Sequence, residues 1–269
     1  MKTQIVENIM FSDEKAKTFD SDQIVPELTL SFMVSGKKHL RFSDFDVVGE
    51  PGDIALIRKN ELIKSIKMSD DEGFSYKSVS IFFTPEMLQD YAKNHNIPTT
   101  EKYKGKPYID LTQSKFIRAY FESFMPYFNQ VSKLTGTVAS IKSLEALELL
   151  MNHHPNLEQM IFDLTEPYKI DLEKYMNKNF TFKIPIKEFA RLTGRSLSTF
   201  KRDFKKTYNE TPEKWLREKR LDEAKYLIVE KKQKPSDVYY HVGFENFSHF
   251  STSFKERFGV NASDILDIS

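Results

Sequence analysis

The stretch at residues 196–208 reads SLSTFKRDFKKTY and interleaves four cationic side chains with three aromatic ones. Its apolar residues recur at steps of three, four and four, which is the spacing of one face of a helix. These residues are Leu197, Phe200, Phe204 and Tyr208. The opposite side collects Ser198, Lys201, Arg202 and Lys205. The stretch therefore predicts an amphipathic helix with a basic outer face. Such a face is most often only a solvated surface, so its role has to come from its context.

Explicit start and stop signals surround this helix. The preceding segment PIKEFARLT, residues 185–193, predicts a helix that ends at Gly194, where glycine can take the left-handed conformation of a sharp turn. Ser196 then caps the basic helix, and Thr211, directly before a proline, caps a long helix that follows. A further helix is predicted from IDLEKYMNKN at 170–179.

The same turn and helix recur fifty residues later. The segments GRSLSTFKRDFKKTY at 194–208 and GFENFSHFSTSFKERF at 243–258 share a turn glycine, a polar cap and the pattern Phe-x-x-x-Phe-Lys. Asn209 and Gly259 close the two predicted helices in equivalent places. A short helix, a glycine turn and a capped second helix form a helix-turn-helix, whose second helix enters the DNA major groove. Two such motifs in one chain are far more specific than one.

A long helix joins the two motifs. It is predicted to run from Pro212 to about Lys231, which at 1.5 Å per residue makes it roughly 30 Å long. One turn of B-DNA is about 34 Å. A rod of this length can hold two recognition helices in successive major grooves, so DNA is the predicted partner of the basic face.

With these two motifs and the joining helix, the chain resembles the AraC/XylS family of bacterial transcription regulators over residues 170–269. The resemblance implies an all-α DNA-binding domain of seven helices, with Trp215 and Leu216 packing the joining helix. It implies a regulator, with activation the favoured sign, that binds double-stranded promoter DNA and RNA polymerase and forms a homodimer. The implied DNA contacts are Ser198, Thr199, Lys201, Arg202 and Lys205 in the first recognition helix (196–208) and Phe247, Ser248, His249, Ser251 and Thr252 in the second (246–258).

The N-terminal part is predicted to be different in kind. Residues 24–83 contain short segments with β-branched and aromatic residues and a Pro-Gly turn, which predict a small sandwich or barrel. Helices are predicted from Thr84 onward and over 112–165. In the second region Leu144, Leu147, Leu150 and Met151 form a stripe, interpreted as core of this domain in preference to a dimer seam.

This part resembles, less specifically, the cupin-like sensory domains of the same family. The residues that carry the likeness are GEPGDIALIRKNEL at 49–62 and YKSVSIFFTPEMLQDY at 76–91. Within that class it is most similar to members whose N-terminal domain is thought to bind a protein partner. The resemblance implies a small-molecule or protein effector for this domain.

The predicted fold class is α+β with two domains, a cupin-like regulatory and dimerisation domain at 1–167 and a DNA-binding domain at 168–269. The formal net charge of +1 hides an asymmetry. The C-terminal part has 21 Lys and Arg against 15 Asp and Glu, and the N-terminal part has 19 against 24. This split favours a polyanion-binding C-terminal domain.

Other chemistry has little support in the sequence. The chain has no cysteine, which excludes disulfides and thiolate sites, and it lacks a signal-peptide pattern or a long apolar run, so a cytoplasmic protein without membrane contact is predicted. No metal, cofactor or catalytic residue is predicted. A cupin-type metal site needs clustered ligands, whereas His39 and His95 are far apart. The NHHP motif at 152–155 is interpreted as a polar helix end, and Arg58 with Lys59 as a solvated strand end.

Three alternatives stay open. His249 contacts DNA or is plain surface. The N-terminal domain receives an effector, or it only dimerises a constitutive regulator. The most different alternative is a small-molecule-binding cupin-like enzyme with a helical accessory domain.

Overall fold

The computed structural model describes residues 2–15, 18–19, 22–69, 75–99, 101–165, 167 and 169–265. The chain divides into two compact units between Thr165 and Glu166, called here the N-terminal and C-terminal domains. The domain boundary predicted after residue 167 stays a prediction, because it falls next to residues outside the described range.

The N-terminal domain combines strands with helices. Its strands are β1 (Lys2–Val6), β2 (Ile9–Glu14), β3 (Thr18–Phe19), β4 (Gln23–Ile24), β5 (Leu28–Ser35), β6 (Lys37–Arg41), β7 (Asp46–Gly49), β8 (Ile54–Ile57), β9 (Leu62–Met68), β10 (Tyr76–Phe83) and β11 (Tyr108–Asp110). Its α-helices are α1 (Pro85–His95), α2 (Lys115–Glu122), α3 (Gly136–His153) and α4 (Glu158–Ile161). The prediction of a β-rich first domain with helices after it is confirmed.

The strands form two antiparallel sheets. One has the order β1-β2-β10-β5-β8-β11, and the other has the order β3-β9-β6-β7, with β4 also paired to β9. The hairpin of β1 and β2 lies outside the region predicted as β. The turn between its strands places Glu7 at a φ of 53°, and the short alternating segments on either side were the signal that could have found it.

Successive side chains of the strands point to opposite faces of the sheets, and two separate hydrophobic cores form on these faces. On β10, Val79, Ile81 and Phe83 are buried in a large core shared with the helices, including Leu147 and Leu150 of α3. A second core joins residues from both sheets, namely Val25, Leu40, Phe42, Ala55, Ile57 and Ile63. The strand period of two accounts for this two-sided burial.

A small cavity of about 40 Å³ lies between the two sheets, lined by residues that include Met33, Tyr76 and Tyr108. Beside it, the Tyr76 hydroxyl donates to Ser78 at 2.9 Å, and the Ser31 and Ser80 hydroxyls lie 3.0 Å apart. A cavity of this size holds about one water molecule, whereas organic ligands occupy sites of roughly 300–1,000 Å³.

The stripe on α3 is only partly core. Leu147 and Leu150 are fully buried, but Leu144 is 46% exposed and Ile141, one turn before it, is 61% exposed. The interpretation of Leu144 as core is therefore wrong. The spacing predicted one apolar face for the whole stripe, but the part of that face that is buried is narrower and leaves Leu144 outside it.

The C-terminal domain is helical throughout its described residues. Its helices are α5 (Leu172–Asn179), α6 (Ile186–Leu192), α7 (Leu197–Tyr208), α8 (Pro212–Val229), α9 (Pro235–His241) and α10 (Phe247–Phe258). These are six helices in residues 169–265. The seventh implied by the resemblance would follow Gly259, where residues 262–264 form a turn and residues 266–269 lie outside the described range.

Candidate nucleic-acid interface

Helix α7 begins and ends as its sequence predicts. Gly194 has a φ of 66°, and the Ser196 hydroxyl accepts from the Thr199 amide at 3.3 Å. Asn209 ends the helix in the left-handed conformation at a φ of 56°. Phe200 and Phe204 are fully buried, so these caps and the buried face fix which side chains point outward.

The outer face of α7 is basic and accessible. Arg202 has a side chain 76% exposed, and the other exposed cations are Lys201, Lys205 and Lys206. Ser198 is exposed, and Thr199 is half-buried. The resemblance did not supply Lys206. At 100° per residue it lies between Arg202 and Thr199 on the helix, so the helical wheel alone could have found it.

The carboxylate of Asp203 is tied into a small ionic network at the edge of α7. Arg195, whose side chain is 6% exposed, donates to Asp203 at 3.1 Å and to the carbonyls of Ile170 and Thr193 at 3.0 and 2.7 Å. The hydrogen bond from Arg195, with Lys169 nearby, lowers the pKa of Asp203 below its usual value. Because Asp203 is already held, its 3.9 Å approach to Arg202 leaves that guanidinium free to bind another group.

Helix α10 repeats the architecture with different chemistry. The Asn246 side chain accepts from the His249 amide at 2.7 Å, and Gly259 ends the helix at a φ of 77°. Phe250 and Phe254 are fully buried, as Phe200 and Phe204 are in α7. The outward side chains Ser248, His249 and Thr252 are exposed, and Ser251 is half-buried.

Two further residues shape the outer face of α10. Phe247 is 44% exposed, and its ring packs edge-on against Tyr239. Glu256, fifty residues after Lys206, places an exposed carboxylate where α7 has a cation. The outer face of α10 is therefore much less basic than that of α7.

The two cations near the end of α10, Lys255 and Arg257, have different surroundings. In the structure Arg257 donates to both carboxylate oxygens of Asp222 at 2.9 and 2.8 Å and lies 3.3 Å from Glu218. Both acids belong to α8, so Arg257 joins two helices of the domain. Lys255 remains exposed.

Helix α8 joins the two motifs. It has 18 residues, which makes it about 27 Å long, slightly shorter than predicted. Trp215 packs against Phe204 and Tyr208 with ring centroids 5.6 and 4.8 Å apart, and Leu216 is buried. The joining helix is thus packed directly on the first recognition helix.

Comparisons with known proteins match both domains. Residues 189–267 match the family model of a helix-turn-helix domain, and residues 29–161 match that of the ExsA N-terminal regulatory domain. The virulence regulon transcriptional activator VirF of Yersinia enterocolitica is 34% identical over 92 residues, 34% of this chain and 34% of VirF. ExsA of Pseudomonas aeruginosa, an HTH-type transcriptional regulator, is 28% identical over 109 residues, 40% of this chain and 39% of ExsA. The chain belongs to the AraC/XylS family.

The AraC/XylS relatives are matched over a limited length. The matched stretch spans about a third of VirF and two fifths of ExsA. A structure of ToxT from Vibrio cholerae aligns over 97% of both chains at 12% identity, with a TM-score of 0.43. Because the matched relatives are covered only in part, the activity of this member has to be argued from its own residues.

Candidate ligands in the AraC/XylS regulatory domain are dispersed. The His39 ring lies 3.2 Å from Asp46, and Arg58 pairs with Glu61 just after β8. His154 contacts the Ser114 hydroxyl at 2.9 Å, and burial lowers its pKa. Among the described residues no three His, Cys, Asp or Glu side chains come together as a metal site, and no described helix is long and apolar enough to cross a membrane.

Proposed function

We propose that the chain is a sequence-specific transcription regulator that binds double-stranded promoter DNA with α7 and α10 in successive major grooves. The observation that carries this proposal is the pair of capped helices, each with a buried Phe-x-x-x-Phe face and an exposed polar face, joined by one 18-residue helix. The joining helix is about 27 Å long, close to the roughly 34 Å that separates successive major grooves on one DNA face.

The two recognition helices divide the work unequally. The first offers Ser198, Thr199, Lys201, Arg202 and Lys205 to DNA, with Lys206 in addition. Arginine and lysine discriminate guanine edges, whereas short hydroxyls discriminate weakly. The second offers Phe247, Ser248, His249, Ser251 and Thr252, with Glu256 facing the same side. We therefore assign sequence reading mainly to α7 and positioning mainly to α10.

Residues 1–167 form the regulatory part of this proposal, and residues 168–269 form the DNA-binding part. VirF is named a transcriptional activator, which supports activation as the regulatory sign of this chain. RNA polymerase as a partner and a cytoplasmic location belong to the same proposal. We favour a protein effector over a small molecule in the cavity at Met33, Tyr76 and Tyr108, because that cavity has room for about one water. The cupin-like enzyme considered from the sequence has no support in the matches, which are to regulators.

A homodimer is the proposed assembly. Ile141 and Leu144 form an exposed apolar pair on α3, and apolar residues three apart on a helix are suited to pair with a second copy. Dimerisation through the N-terminal domain leaves both recognition helices of each chain free for DNA.

One experiment tests DNA binding and assembly together. The full chain should shift a duplex from a promoter of its own genome in the presence of excess random DNA, and mass photometry of the complex should count two chains per bound site. Equal competition by random DNA would contradict sequence-specific binding. One chain per site at all concentrations would contradict the homodimer alone.

A further inference from the structure

A groove opens between the two helix-turn-helix motifs. It has a volume of about 450 Å³ and is lined by α8, by the segment before α6 and by the turn before α10. Its charged lining comprises Lys183, Glu213, Arg217, Arg220 and Glu245, with His249 at its edge. We call it the inter-motif groove. It mixes cations and carboxylates, so its charge depends on which of them are already paired.

The three cations are in different states. Arg220 donates to the carbonyls of Phe180, Phe182 and Gly243 at 2.8, 2.9 and 3.2 Å and holds the two motifs together. Lys183 forms an ion pair with Glu245 across the groove. Arg217 is exposed and forms no ion pair with any described residue. Arg220 is therefore structural, Lys183 is paired with a carboxylate, and Arg217 is available to a ligand.

Each carboxylate holds a lysine from another element. Glu213, in the first turn of α8, lies 3.3 Å from Lys201 of α7. Glu245 holds Lys183, and the hydrogen bond from Lys183 lowers the pKa of Glu245. Carboxylate and phosphate oxygens accept the same charge-assisted hydrogen bonds from Lys and Arg.

We propose that the inter-motif groove receives the DNA backbone between the two major grooves, and that Arg217 binds a phosphate there. In the free protein Glu213 and Glu245 take the place of phosphates, because they hold Lys201 and Lys183 until DNA binds. This rests on the proposed function, because α7 and α10 must sit in successive major grooves for the backbone to cross between them. The backbone then passes along the face of α8 that carries Glu213 and Arg217.

This arrangement sets affinity without setting sequence preference. A phosphate is the same in every DNA sequence. The free energy needed to separate Glu213 from Lys201 and Glu245 from Lys183 therefore opposes binding to any DNA. The two acids therefore lower affinity for cognate and random DNA by the same factor. The ratio of cognate to random affinity is therefore unchanged by them.

Binding isotherms of the full chain on its cognate duplex and on random duplex test the proposal, at several salt concentrations. Glu213→Gln and Glu245→Gln should each tighten binding to both DNAs by about 2- to 5-fold, the range of an exposed ion pair. Arg217→Gln should weaken both by a similar factor and reduce the slope of log affinity against log salt by about 0.9, the loss of one phosphate contact.

Matched controls lie beyond the groove. Glu230→Gln and Lys232→Gln make the same charge changes at exposed positions past the end of α8, and they should change affinity by less than 2-fold. The groove proposal is overturned if Arg217→Gln changes DNA affinity no more than Lys232→Gln does, or if the two glutamate variants change it no more than Glu230→Gln does. DNA binding by the chain would still stand. A loss confined to cognate DNA would make Arg217 a base contact and overturn the phosphate assignment. Failure of the unmodified chain to bind DNA would instead overturn the proposed function.

Discussion

Replacing Arg202 with alanine should weaken binding to the cognate DNA site by about 1–3 kcal/mol more than binding to random DNA, the discrimination that a bidentate arginine gives at guanine. Arg202 is the most suitable side chain for this role, because it is 76% exposed on the outer face of α7 and its nearest carboxylate is 3.9 Å away and already held by Arg195. Competition binding with both DNAs measures the effect.

Lys206→Ala is the matched control for this prediction. Lys206 is exposed on the same face of α7 but farther from the start of the helix, and residues near the N-terminus of a recognition helix contact base edges. Its loss should weaken binding to cognate and random DNA by the same factor. If Arg202→Ala also weakens both equally, Arg202 binds a phosphate and its base-reading role is wrong.

Replacing Phe204 with alanine should lower the free energy of unfolding of the C-terminal domain by about 3–5 kcal/mol. Phe204 is fully buried, and its ring contacts Phe200, Tyr208 and Trp215 with centroids 5.5, 4.6 and 5.6 Å away. The ring lies where α7 meets α8, so the cavity would loosen the joint between recognition helix and rod.

Trp215 is the single tryptophan of the chain, so its fluorescence reports unfolding of this domain during a urea titration. Leu197→Ala, at a 43% exposed position on the same helix, should cost well under half as much. A loss below about 1 kcal/mol for Phe204→Ala would mean that the α7–α8 packing does not stabilise the domain as buried aromatic packing does.

Local signals made the recognition helices predictable. Ser196, Gly194, Asn209 and Thr211 act within a few residues of their own position in the chain, and each occupies the cap or turn that its chemistry favours. The repeat at an offset of fifty then fixed the second motif. These features need no knowledge of distant parts of the chain.

Features set by distant parts of the chain could not be predicted. Arg257 meets Asp222 across two helices, and the pairing of Glu213 with Lys201 depends on how α8 packs against α7. Leu144 has the spacing of a core residue and is exposed, because burial depends on which helices cover α3. The cavity between the sheets is lined by residues from β5, β6, β7, β8, β10 and β11 together, so no single stretch of sequence determines its size.

Selection of bound duplexes from a library with about 25 random base pairs tests the central claim most directly, because it reports both groove spacing and sequence preference. With the full chain the account predicts two preferred segments per chain whose centres lie about 10 bp apart, with strong preference under α7 and weak preference under α10. A single uninterrupted segment, or strong preference only under the second helix, would contradict it.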